Sequence, residues 1–154
     1  MPNHFHILIA EIQEDGIVRF MQKLLTGYSM YFNEKNARVG NLMVKPFRSK
    51  HIHNDVYLRK VAQYIHLNPA EVFEPGWKEG RVRNIKMLEE ELRKYEYSSL
   101  IDHLGTKRLE TAILETTSMN MLSDGRASLS ELLVDAQQYY TEAEKEFGLR
   151  KSQR

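Results

Sequence analysis

The segment His4-Phe5-His6-Ile7-Leu8-Ile9-Ala10-Glu11-Ile12 constrains this chain more than any other. It is mostly apolar, and it reads as a largely buried strand over residues 4–12. A buried strand must pair its backbone N–H and C=O groups with neighbours. So near the start of the sequence, the expectation is that no earlier segment supplies the neighbouring strand. His4 and His6, two apart on a strand, face the same side, where two imidazoles can chelate one metal ion. His51-Ile52-His53 repeats the spacing at a polar strand end. The first pair, inside an apolar strand, is the stronger candidate.

The chain has 154 residues, enough for one domain with a real core or one domain with an appendage. It contains no cysteine, which excludes disulfides and thiolate metal sites and makes a reducing cytoplasm the natural home. No apolar run approaches the roughly 18 residues of a membrane span, and no secretory leader pattern is present. Net charge is only +1 but unevenly spread. Residues 35–60 carry seven Lys or Arg (35, 38, 45, 48, 50, 59, 60) against Asp55 alone; residues 61–154 carry 13 basic against 16 acidic. A basic segment beside a candidate metal site suits a phosphate-bearing partner, although basic loops also serve solubility.

After the turn Glu14-Asp15-Gly16, apolar residues from Ile17 to about Phe32 fall at helical spacing, with Asp15 as the expected cap. Gly27 inside that pattern suggests close packing or the approach of the helix to something else. Lys50–His53 suits a short strand. Asn54 or Asp55 then caps a second helix to about Leu67, ended by Asn68-Pro69 because proline disfavours α geometry in the residue before it. Pro75-Gly76-Trp77 reads as a turn with a buried aromatic, and Lys86–Tyr95 as a charged helix. Two further helices are expected over 107–154, split near Ser123-Asp124-Gly125, the last running from about Leu129 to Phe147.

Tyr64 and Asn68 are four apart on the second helix and project from one face. A tyrosine can attack phosphorus when a metal polarises the phosphate, and an amide oxygen one turn on can complete a metal site begun by two histidines. The plainer alternative is a tyrosine packed in the core. His66 faces elsewhere, as a surface residue or a phosphate contact. Lys45, Arg48 and Lys50 surround Phe47, a mixture of cations and an aromatic that suits single-stranded nucleic acid or simply a solvated loop.

Taken in order, Met1-Pro2-Asn3-His4-Phe5-His6-Ile7-Leu8, Phe20-Met21-Gln22-Lys23-Leu24, Tyr31-Phe32-Asn33, Gly40-Asn41-Leu42, Phe47-Arg48-Ser49-Lys50 and Tyr64-Ile65-His66-Leu67-Asn68-Pro69 resemble the REP-associated tyrosine transposases. These are a branch of the single-tyrosine HUH (IS200-like) transposases. The resemblance covers roughly residues 1–104, including Tyr97-Ser98-Ser99, and leaves 105–154 as a helical C-terminal extension of unassigned role.

The resemblance implies an α+β, ferredoxin-like fold. It implies His4, His6 and Asn68 as ligands of Mg²⁺ or Mn²⁺, and Tyr64 as the nucleophile on single-stranded or hairpin DNA. Lys45, Phe47, Arg48, Lys50 and His66 become DNA contacts. The product is a 5′-phosphotyrosine link, and the location is the cytoplasm, at the nucleoid. Imidazole ligands alone favour softer metals, so the choice of ion rests on the resemblance.

Members of the family carry a strand, a helix and a strand before the MPNH turn, whereas here Met1 coincides with the methionine of that turn. The expectation is a core lacking its first strand–helix–strand. A misplaced start, a decayed remnant, and sheet repair by strand exchange in a homodimer all remain open. Asn41-Leu42-Met43-Val44 also departs from the family's aromatic-containing segment. The rival to a transposase is a non-catalytic DNA-binding or regulatory remnant. A histidine-triad nucleotide hydrolase needs a third alternating histidine, and position 8 is Leu.

Overall fold

The structure, a computed structural model, describes residues 4–43, 46–115 and 128–147, with side chains as far as residue 138 in the last helix. Six α-helices are described: α1 (Gly16–Lys35), α2 (Asp55–Leu67), α3 (Ala70–Phe73), α4 (Ile85–Lys94), α5 (Leu100–His103) and α6 (Leu129–Phe147). Two 3-10 turns, Trp77–Glu79 and Leu109–Ile113, connect them. The chain divides into two compact units, Met1–His6 with His53–Arg154, and Ile7–Ile52.

The local chemistry of the helix ends follows the residues. Asn54 caps α2, its side chain accepting from Tyr57 N at 2.8 Å, and Asn84 caps α4 by accepting from Lys86 N and Met87 N. Asp15 precedes α1 in a left-handed conformation (φ 58°) without a side-chain cap bond. The Glu11 carboxylate accepts from Ile17 N instead.

In the larger unit, Ala62 and Leu67 of α2, Trp77, Leu88 and Leu92 of α4, and Leu100 form one core with Leu129, Leu132, Leu133 and Ala136 of α6. The last helix therefore packs against α2, α4 and the Trp77–Glu79 turn and closes this core. Gln137 donates to the Trp77 carbonyl at 2.9 Å, and Ser130 to Glu89 at 2.7 Å. Gly76 (φ 93°) and Gly80 (φ 81°) bracket the turn in the left-handed region that L-residues avoid, and so let Trp77 fold inward to 1% exposure.

A second set of contacts pins the segment after α4. Asp102, buried, accepts from Arg108 Nε at 3.1 Å, Arg108 Nη2 at 2.6 Å and Thr111 Oγ1 at 2.5 Å. The same guanidinium donates to the carbonyls of Glu96 and Ser98 at 2.6 and 2.7 Å. One arginine thus ties α5, the Leu109–Ile113 turn and residues 96–98 together.

In the smaller unit, α1 is amphipathic but buries only Met21; Val18, Phe20, Tyr28 and Tyr31 stand about half exposed. Gly27 has open space where a Cβ would stand, so close packing is not its reason.

The α+β, ferredoxin-like expectation is overturned. Among the described residues there is no strand and no sheet, and the strands expected at 4–12 and 50–53 have no regular secondary structure. A strand exists only as a rung of a ladder, and β-rich composition does not form one unless a second segment lies beside it. None does among the described residues. Phe5, Ile7, Leu8 and Ile9 remain 37–49% exposed instead of buried. Among the described residues no helix is long and apolar enough to cross a membrane. The break expected near Ser123–Gly125 lies outside the described residues.

Candidate active site

Within the larger unit the chain start meets the second helix. The His4 and His6 rings stand edge-on with centroids 5.1 Å apart, and the His6 ring lies edge-on to Tyr64 at 5.5 Å. Two imidazoles holding one ion through nitrogens at about 2.1 Å would also stand roughly 5 Å apart at their centroids. Burial, then the nearby His4 and Lys78 charges, holds the His6 pKa below its ordinary value, which favours the neutral ring that a metal requires.

Asn68 sits one turn beyond Tyr64, at the C-cap of α2, its backbone N–H donating to the Tyr64 carbonyl at 2.9 Å. Contrary to the expectation from proline sterics, Asn68 keeps right-handed helical geometry (φ −57°, ψ −34°), and the chain runs through Pro69 into α3. The side chain is 1% exposed. Its Oδ1 accepts from Lys78 Nζ at 3.3 Å, while its Nδ2 is buried without a hydrogen-bond partner among the described residues. An amide seated with one donor unpaired costs about 1–3 kcal/mol.

Lys78 escaped the sequence reading. Its Nζ lies 2.7 Å from Glu71 Oε2 and 5.4 Å from the centroid of the Tyr64 ring, besides its bond to Asn68. No local pattern marks it. Only its place directly after the inward-turned Trp77 brings it to this corner.

Among the described residues no three His, Cys, Asp or Glu side chains converge on a metal position. The candidate donors are the imidazoles of His4 and His6 and the Oδ1 of Asn68; imidazoles suit softer divalent ions and the amide oxygen a harder one.

The expected DNA contacts are placed differently. His66 is buried, not at the surface. Its Nδ1–H donates to the Ala62 carbonyl at 2.7 Å, its Nε2 accepts from the Ser99 hydroxyl at 2.9 Å, and the His103 ring lies edge-on at 4.6 Å. Burial pushes its pKa down to about 4. With both nitrogens engaged in the core, His66 is a packing histidine and not a phosphate contact. Phe47, half-buried, and Arg48 and Lys50, exposed, belong to the Ile7–Ile52 unit. Lys45 lies outside the described residues. Comparison with protein-family models, curated proteins and solved structures finds no match to this chain.

Proposed function

We propose that this chain cleaves and rejoins single-stranded DNA through Tyr64, as its resemblance to the REP-associated tyrosine transposases implies. One observation carries the reading. Two histidines from the chain start and a tyrosine 58 residues later share one corner, with the rings at 5.1 and 5.5 Å.

On this reading His4, His6 and Asn68 Oδ1 hold Mg²⁺ or Mn²⁺, which when bound supplies Lewis-acid polarisation of the scissile phosphate. Tyr64 Oη forms a bond to phosphorus, and the bond from phosphorus to the 3′ oxygen breaks. The phenolic proton goes to solvent, and the 3′ oxygen takes a proton and leaves as a hydroxyl. The 5′-phosphotyrosine keeps the energy of the cleaved ester, so a 3′-hydroxyl can reverse the step. Phe47, Arg48 and Lys50, with Lys45 in the same stretch, provide stacking and phosphate neutralisation. The protein then works at the nucleoid, in the cytoplasm.

A second copy of the chain is the proposed protein partner. The unpaired segment bearing Phe5, Ile7, Leu8 and Ile9, and the apolar face of α1, are surfaces a homodimer would cover. Light scattering should return twice the chain mass of 18.1 kDa; a monomer at all concentrations refutes the dimer.

The central test incubates the protein and Mn²⁺ with labelled hairpin-bearing single-stranded oligonucleotides and looks for a denaturation-resistant adduct. Tyr64→Phe should abolish the adduct and leave DNA binding intact. Survival of the adduct in that variant sinks the nucleophile assignment. The second reading, a DNA-binding remnant without chemistry, draws support from Lys78, whose ammonium engages the oxygen a metal would need. It predicts salt-sensitive DNA binding and no adduct with any metal.

A further inference from the structure

We propose that Lys78 is a displaceable internal cation. Its ammonium donates to the Asn68 oxygen, and it leaves for a DNA phosphate when a divalent ion takes that oxygen. The inference rests on the metal-and-tyrosine reading above and adds to it the residue that couples metal to DNA.

The backbone at Lys78 is fixed. Trp77 is buried beside it, Gln137 holds the Trp77 carbonyl, and glycines in left-handed conformations bound the turn. The side chain is 22% exposed and ends on a half-exposed carboxylate, Glu71. Its head lies 3.3 Å from Asn68 Oδ1, 2.7 Å from Glu71 Oε2, and 5.4 Å from the centroid of the Tyr64 ring. Its charge is also felt at His6. An ammonium and a divalent cation repel, and they cannot share one amide oxygen. Whichever is present excludes the other from Asn68.

The displaced ammonium remains tethered next to the Tyr64 ring, where any phosphate attacked by Tyr64 must arrive. Compact and strongly charged, a lysine head suits a phosphate as a point charge. A phosphate in that place draws Lys78 away and frees the oxygen for metal. Metal and DNA then favour each other's binding, a coupling that is reciprocal by necessity.

The test is a Mn²⁺ titration of the full chain without DNA, read by the loss of the free-ion electron paramagnetic resonance signal. Wild type, Lys78→Gln, Lys78→Arg and the His4→Ala/His6→Ala double variant are compared. Lys78→Gln should bind Mn²⁺ at least about tenfold more tightly than wild type, because no charged hydrogen bond has to be broken first. Lys78→Arg should bind like wild type, and the double histidine variant should bind none. Lys78→Met, which keeps the apolar stem, takes over if circular dichroism shows the Gln variant unfolded. In a second measurement, the slope of log affinity against log salt for a hairpin oligonucleotide with Mn²⁺ should fall by about one unit in Lys78→Gln.

Equal Mn²⁺ affinity in wild type and Lys78→Gln, with binding lost in the double histidine variant, overturns the inference and leaves the metal reading standing. No Mn²⁺ binding by either protein overturns both. An unchanged salt slope overturns the transfer of Lys78 to phosphate.

Discussion

Replacing Asp102 by Asn should destabilise the protein by about 2–4 kcal/mol. The carboxylate is buried and accepts from three donors, Arg108 Nε, Arg108 Nη2 and Thr111 Oγ1. Asparagine keeps one acceptor oxygen. It sets an NH₂ against the second face, so at least one charge-assisted bond, worth roughly 1.5–3 kcal/mol, is lost and two donors confront each other. Breaking a fully buried pair costs about 3–5 kcal/mol. The Arg108 side chain is 20% exposed and keeps the Glu96 and Ser98 carbonyls, which moves the expectation toward the lower end. With a urea slope of about 2 kcal/mol per molar, the midpoint falls by about 1–2 M at unchanged slope.

The pH dependence adds a second mark. The Arg108 hydrogen bonds hold the Asp102 pKa below its ordinary value of 3.8. Its contribution is present above 3.8 and is lost as pH falls through the lowered folded value. The Asn variant should lack that portion of the acid decline. A midpoint shift under about 0.3 M, with the acid limb unaltered, refutes the claim that this pair anchors α5.

Three other outcomes are expected. His66 is neutral in the core with a pKa near 4 against an ordinary 6.5. The unfolded chain therefore binds its proton first, and about 3 kcal/mol of stability drains away as pH falls from 6.5 to 4; His66→Gln should flatten that limb in urea melts. Leu133→Ala, at a 2% exposed position of α6, should cost about 2–5 kcal/mol by the same assay, showing that the last helix is part of the core. Gly27→Ala in α1 meets nothing within 4 Å and should raise stability by about 0.5–1 kcal/mol; a loss would mean that Gly27 packs against something.

Helices whose chemistry is local were legible in advance. The Asn54 cap places the start of α2 where the residue pattern puts it, and the amphipathic stripe from Leu129 to Phe147 matches α6. The strand over 4–12 was not, because apolar composition describes what a strand is made of and a ladder needs a partner. His66 shows the same limit from the other side. Helical spacing correctly turned it away from Tyr64, but whether that direction led to solvent or to Ser99 and His103 depended on residues more than thirty positions away.

The candidate site divides along this line. The histidine spacing and the Tyr64–Asn68 spacing are properties of the chain itself, set by backbone geometry over a few residues. That the His6 ring reaches Tyr64, that Lys78 takes the Asn68 oxygen, and that Arg108 locks α5 are decided by packing. Each brings together groups separated by loops whose course no short-range pattern specifies.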